Sequence, residues 1–357
     1  MTTTRVTNIA RKRANAYDDE RYARMLAVMT DLRLDHTPLA DYLINEFLPA
    51  YELEVEPTTY RSAVDTVHTF INPHLGAIPV SELSRTHLRG FHWELLHTPV
   101  RRGSGFLKKK TVMRIHAILS AGLQRLVDTG RLPANPAYGA RPRLKKSEVY
   151  EPVIWTPGQL RHFLESAAED ELYPLWNLIA FTGMRRGEAL ALQGGDLSVR
   201  YTHVAVKRAL GQVRSTRYLS APKGTQARRI DLLPDTIRAL RAYRRKQMRW
   251  VRHRDGSLGA RDFIFTFRSG KPLSLGTATK RFMDLVAGID LPRIRLHDLR
   301  HTHASHLLEA GASVKAVQER LGHHDAAFTM ESYVHSAPTI QRDAIKSLQA
   351  YYRKARD

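Results

Sequence analysis

The chain has 357 residues, enough for about two domains, and its 43% hydrophobic content argues for buried cores rather than disorder. Lys and Arg outnumber Asp and Glu by 56 to 35, a formal charge of +21 with a sequence pI near 10.3, which is the electrostatic footprint of a polyanion binder, nucleic acid first. The absence of cysteine excludes disulfides, thiolate nucleophiles and Cys-ligated zinc, while the lack of a spanning apolar run or an amino-terminal signal core argues against a membrane partner and points to a cytoplasmic protein.

Residues 1–37 read as a polar, basic leader, with Arg11, Lys12 and Arg13 together. From Pro38 the pattern changes. In PLADYLINEFLPAY, Leu39, Tyr42, Leu43, Phe47 and Leu48 recur at helical spacing, and further helices are expected over Thr58–Ile71 and Ser84–Leu96. A fourth follows in TVMRIHAILSAGLQRLVDTG, where Val112, Ile115, Leu119, Leu123 and Leu126 mark one stripe and Gly130 is the stop. Residues 38–132 thus form a small helical domain, with DNA-binding candidates at Arg101, Arg102, Lys108, Lys109 and Lys110. Prolines then break the pattern over residues 133–152, an expected interdomain linker whose Arg141, Arg143, Lys145 and Lys146 suit a phosphate backbone.

The second domain, residues 153–357, opens at WTPGQL, where Thr156 fits an N-cap and Pro157 the first helical turn. After two helices, HVAVKRAL and ARRIDLL read as strands flanking a polar segment, and helices resume from Pro234 to Arg252. In the closing tail, Ala344, Ile345, Leu348, Tyr351 and Tyr352 give a terminal helix an apolar stripe.

Four stretches of this domain carry chemistry. In FTGMRRGEALAL, Arg185 starts a helix with Glu188 three residues on, placed to brace it; alone, such an arginine is a solvated helix-end charge. In SAPKGTQARRIDLL, Lys223 sits near a turn beside a strand, where desolvation could turn it into a proton donor. HDLRHTHASHLLEAG reads as the opening of an amphipathic helix with His297 and Arg300 on one face, aimed together at something outside it. In a chain so rich in histidine and arginine, roughly two such spacings arise by chance, so the pair needs company. LGHHDAAFTMESYVH supplies His323 after a Leu-Gly helix end and Tyr333 ten residues later.

Taken in order, TGMRRGEAL, HDLRHTHASHLLEAG and LGHHDAAFTMESYVH closely resemble the motifs of the tyrosine recombinase (phage integrase) family. The resemblance spans roughly residues 151–357, and the helical domain before it is similar to that family's core-binding domain. It implies a fold that is mainly α with a small β-sheet in the catalytic domain: a helical core-binding domain, then a mixed α/β catalytic domain with a C-terminal tail helix. It also implies a metal- and ATP-independent strand transferase with no cofactor. Tyr333 would attack the scissile phosphate to give a 3′-phosphotyrosyl link. Arg185 and Arg300 would stabilise the charged transition state, His297 and His323 would hydrogen-bond the phosphate, and Lys223 would protonate the leaving 5′-oxygen. Lys207 is the alternative to Lys223, and His324 to His323. The implied partner is double-stranded DNA at attachment-type sites, held by a homotetramer, with an accessory directionality factor or DNA-bending protein as a further candidate and the bacterial nucleoid as the place of action. Integration or excision of a phage or other mobile element is the expected role. The alternatives are a Xer-like resolvase or invertase with the same chemistry, a type IB topoisomerase, and a DNA-binding regulator that does not cut.

Overall fold

A computed structural model of the chain describes residues 36–100, 105–143, 151–222, 227–252 and 256–322. The chain divides into two compact units, Met1–Tyr150 and Glu151–Asp357.

The first unit is all helix. Helix α1 runs through Leu39–Tyr42, a wider π-turn Leu43–Phe47, and Leu48–Glu52. Helix α2 repeats that construction with Pro57–Thr66, a π-turn Val67–Ile71, and Asn72–Leu75. Each π-turn stands just before a proline, Pro49 or Pro73. A proline lacks the N–H that would close an α-turn and its ring crowds the preceding turn, so the backbone widens there instead of breaking. Helices α3, Arg85–Leu96, and α4, Lys109–Asp128, complete the unit. Ser84 caps α3 through the amide of His87, and beyond α4 Gly130 takes φ +73° to stop the helix, as expected.

The α1–α4 crossing is close because Gly122 has no side chain: a Cβ there would lie 3.0 Å from Leu43 Cδ2, and the Tyr42 hydroxyl donates to the Gly122 carbonyl at 2.7 Å. Leu39, Leu43, Phe47, Val67, Ile71, Leu88, Leu119 and Leu123 form the core. His92 and His116 are buried beside them, His116 Nδ1 lying 3.2 Å from His92 Nε2. Residues 133–140, expected in the linker, instead pack on this unit: Ala137 and Ala140 join its core, and Asn135 donates to the Ser120 carbonyl. Short side chains fit there, and the asparagine meets the backbone polarity.

The second unit is helices around two small sheets. Helix α5, Pro157–Ser166, begins with the reciprocal cap between Thr156 and Gln159. Helix α6, Tyr173–Thr182, is central, with nearly every side chain buried, and α7 is the short helix Arg186–Leu190. Strand β1, His203–Val206, pairs antiparallel with β4, Arg228–Asp231, the two strands legible in the sequence. Between them β2, Ala209–Val213, and β3, Thr216–Ser220, form a hairpin that the sequence had shown only as a polar segment. Helices α8, Pro234–Arg252, α9, Leu275–Ala287, α10, Asp298–Glu309, and α11, Val314–Leu321, follow. Trp155, Phe163, Trp176 and Phe282 interlock at the core, with ring centroids 5.2 Å apart for Trp155–Phe163 and 5.3 Å for Phe163–Phe282.

Helix α10 corrects the sequence reading. It is not amphipathic: Asp298, Leu299, Arg300, Thr302, His303, Ala304 and Ser305 are all buried, so polar residues line most of its interior-facing surface. Among the described residues no helix is long and apolar enough to cross a membrane.

Candidate active site

Two helix ends build the site. Helix α6 stops at Gly183, φ +65°, and α11 stops at Gly322, φ +67°, both in the left-handed conformation that glycine adopts without penalty. A Cβ on Gly183 would lie 2.4 Å from Leu321 Cδ2 and 2.7 Å from the His303 ring, so the two ends approach only because glycine stands at the first.

Arg300 joins them. Its guanidinium donates to the Gly183 carbonyl and to the Leu321 carbonyl, each at 2.7 Å, and the residue is 2% exposed. His297 and Arg300 therefore do not project from one exposed helix face as the spacing suggested. His297 is the N-cap residue and keeps one edge open to solvent, whereas Arg300 points inward to two carbonyl ends that carry partial negative charge.

Three arginines from three elements take three successive carbonyls at the end of α11. Arg228 Nε donates to Arg320 O at 2.9 Å, Arg300 to Leu321 O, and Arg185 Nη2 to Gly322 O at 3.4 Å. Beneath them lies Glu188, fully buried, which accepts from the Arg185 amide and Arg185 Nη1, both at 2.9 Å. It also accepts from Arg228 Nη1 at 3.2 Å and Nη2 at 2.7 Å. Burial would raise the pKa of this carboxyl, but the hydrogen bonds and charge of Arg228, then those of Arg185, outweigh it and hold the pKa below the usual range. One carboxylate thus serves two guanidinium groups, and with Arg300 the cluster keeps a surplus of positive charge.

His297 belongs to the same electrostatic neighbourhood. Burial of the ring body, the adjacent His301 and the charges of Arg300 and Arg185 push its pKa down to about 4, against the opposing charge of Asp298. Its solvent-open edge tempers the burial, while the cations lower the pKa in the same direction as burial does. The two rings meet edge to face, centroids 5.3 Å apart. At neutral pH His297 is uncharged, so it can either donate or accept a proton.

The structure brings Arg185, Glu188, His297 and Arg300 together. Lys223, His323, His324 and Tyr333 lie outside the described residues, as do Arg101, Arg102, Lys145 and Lys146 and the tail. Lys207 sits 3.7 Å from the carboxylate of Asp196, which also binds Arg208 at 2.9 Å. Lys108, Lys110, Arg141 and Arg143 are exposed, and Lys109 is half-buried. Among the described residues no cluster of His, Asp and Glu could hold a metal ion.

Sequence reasoning missed Arg228, and a signal for it existed. In β4 the alternation puts Arg228 on the face of buried Ile230, where a charge must find a partner. It also missed Arg320, which ties α11 to the unit through the His303 ring at 3.1 Å and the carbonyls of Phe181 at 2.9 Å and Asp231 at 3.1 Å.

A helical first unit, a second unit with small sheets, and a surplus-cation site on two helix ends define the architecture of a tyrosine-type site-specific recombinase. The pattern of the phage integrase family matches residues 157–339, and the chain belongs to that family, as an integrase of this recombinase class. It is similar to the ICEBs1 integrase of Bacillus subtilis (strain 168), 24% identical over 315 residues that cover 86% of this chain and 81% of that one. It is 28% identical over 178 residues to the integrase of Staphylococcus phage L54a, covering 48% and 49% of the two chains. In fold it resembles the Tn1549 transposon integrase in complex with transposon right end DNA, at TM-score 0.70 and 20% identity over 87% of this chain and 99% of that one. It also resembles lambda integrase, seen as a tetramer bound to a Holliday junction, at TM-score 0.60 and 17% identity over 86% and 80% of the chains.

Proposed function

We propose that this integrase cuts and rejoins double-stranded DNA at attachment-type sites of a mobile element through a 3′-phosphotyrosyl intermediate, working as a homotetramer on DNA. The observation that carries the reading is the convergence of Arg185 and Arg300 on the Gly322 and Leu321 carbonyls that close α11, immediately before His323 in the chain, with His297 under the charge of both arginines. The similar structures add that lambda integrase binds a Holliday junction as a tetramer and that the Tn1549 integrase binds transposon-end DNA.

In this mechanism the Tyr333 oxygen attacks phosphorus while the bond from phosphorus to the 5′-oxygen breaks. The phosphodiester energy is kept in the tyrosyl ester, so rejoining is the same step run backwards with a new 5′-hydroxyl. The tyrosine proton goes to His297, and Lys223 protonates the leaving oxygen. Arg185 and Arg300 face the non-bridging oxygens, where charge grows in the transition state. A docked phosphate brings negative charge beside His297, opposite in sign to the cations that depress its pKa, and so raises its basicity when it is needed. Residues 38–132 serve as the core-binding domain, and Lys108, Lys109, Lys110, Arg141 and Arg143, with Arg101, Arg102, Lys145 and Lys146, contact backbone phosphates.

The test is covalent trapping on a nicked suicide duplex carrying the junction between the element and its host chromosome. Wild-type protein should form a denaturation-resistant protein–DNA adduct that Tyr333→Phe does not form, although the variant still shifts the duplex in a gel. An adduct retained by Tyr333→Phe would displace Tyr333 as the nucleophile.

A further inference from the structure

The arginines around the site differ in how their charge is met. Arg185 and Arg228 share the Glu188 carboxylate, and Arg208 pairs with Asp196. Arg186, the first residue of α7, is half-buried, yet among the described residues no carboxylate pairs with it; its guanidinium donates to the Thr279 hydroxyl of α9. Thr279 spends its own proton on the Leu275 carbonyl at 3.0 Å, so toward Arg186 it is a neutral acceptor and offsets no charge.

The position is also held firmly. Gly187 lets α7 press against the backbone of β2, where a Cβ would lie 2.9 Å from the Leu210 carbonyl oxygen. With α7 fixed there, the Arg186 guanidinium is held against Thr279 of α9. Burial lowers the Arg186 pKa, and among the described residues no counter-charge acts against it. Placing a cation without a counter-charge in a half-buried setting costs stability, and among the described residues most of its five N–H donors meet no protein acceptor.

We propose that Arg186, oriented by Thr279, is a seat for a DNA backbone phosphate other than the one that Arg185 and Arg300 face. Its ligand is a phosphodiester of duplex DNA. The seat links α9 to the helix that begins beside Arg185, so that occupancy would fix the register of the duplex relative to the reacting phosphate. This inference rests on the DNA-recombinase reading above.

Fluorescence anisotropy with a random-sequence 40 base-pair duplex over a range of salt tests it without knowledge of the target site. Arg186→Gln should reduce the slope of log affinity against log salt by about one unit, since one phosphate contact releases about one counterion. Arg186→Lys should keep the slope, because the charge remains. Without DNA, Arg186→Gln should melt at the wild-type temperature or above it, because no internal ion pair is lost. Thr279→Val should weaken binding severalfold while retaining the slope. An unchanged slope in Arg186→Gln overturns the proposal, and so does a variant that melts lower or fails to fold, because the arginine would then serve the fold. If the wild-type protein showed no salt-dependent DNA binding at all, the DNA reading would fail with it, whereas an unchanged slope in the variant alone leaves that reading standing.

Discussion

Glu188 and Arg228 lie 2.7 Å apart, the carboxylate fully buried and the arginine side chain 9% exposed, in a two-pronged contact that shares Glu188 with Arg185. The consequence is positional. Arg228 neutralises much of the charge of Glu188 and holds the end of α11 through Arg320 O, so Arg185 needs only one arm of its fork for the carboxylate while the other reaches the Gly322 carbonyl. Because the pair is out of water, breaking it strands a charge.

Arg228→Gln should therefore destabilise the second unit by about 3–5 kcal/mol, the usual cost of a buried ion left unpaired. Urea unfolding of the full chain, followed by hydrogen exchange at amides of β4 and α11, measures it. Adding Glu188→Gln should recover part of the loss, since the orphaned charge goes with it. A cost below about 1 kcal/mol would mark the pair as effectively solvated.

Arg300→Lys should fail in two separable ways. A lysine cannot reach both the Gly183 and Leu321 carbonyls, which the planar fork bridges at 2.7 Å each, so the thermal midpoint should fall. On the proposed mechanism, cleavage of the suicide duplex should drop by about 100-fold or more even at temperatures where the variant is folded, because a point charge would replace the oriented donors proposed for the reacting phosphate. Wild-type cleavage with a lowered midpoint would confine Arg300 to the fold.

The first unit should lose stability in mild acid. Burial, then the neighbouring His116, pushes the His92 pKa from 6.5 down to about 4, and burial, then the charge of Arg141, also lowers that of His116. The rings share one hydrogen bond, so protonating the ring nitrogen that accepts it sets two donors face to face. Below the unfolded pKa of about 6.5 the unfolded chain binds protons that the folded unit refuses, so stability falls as pH drops from that value toward about 4, by about 3 kcal/mol for His92 alone. Hydrogen exchange at amides of α3 and α4 across this range reads the change. A His92→Leu, His116→Leu variant should show a flatter profile, and an equal slope in that variant would place the acid sensitivity elsewhere.

Much of the frame was legible because it depends on neighbours in the chain. Apolar spacing marked α1 to α4, the Thr156–Gln159 cap and Pro157 marked the start of α5, and alternation marked β1 and β4. The β2–β3 hairpin was not legible. Its central turn residues are Arg214 and Ser215, with Arg214 at φ +52°, so the usual glycine or asparagine signal is missing, and Tyr218 instead covers the bare backbone of Gly211. Nor was α10 read correctly, because a buried arginine and an exposed one look alike until their partners are known.

By itself the sequence determined which residue types were available and in what order: Arg185 with Glu188 three residues on, His297 with Arg300, and the two glycines that end α6 and α11. Local rules of capping, spacing and left-handed glycine suffice for that. Only the tertiary structure decided where each charge went. Arg300 turned inward to join two helix ends, Arg228 arrived from a strand forty residues after Glu188 to share its carboxylate, and Arg186 met the neutral hydroxyl of Thr279. The physical reason is that a guanidinium leaving water must be paid in hydrogen bonds, and the carbonyls and carboxylates that supply them come from segments brought together only by packing.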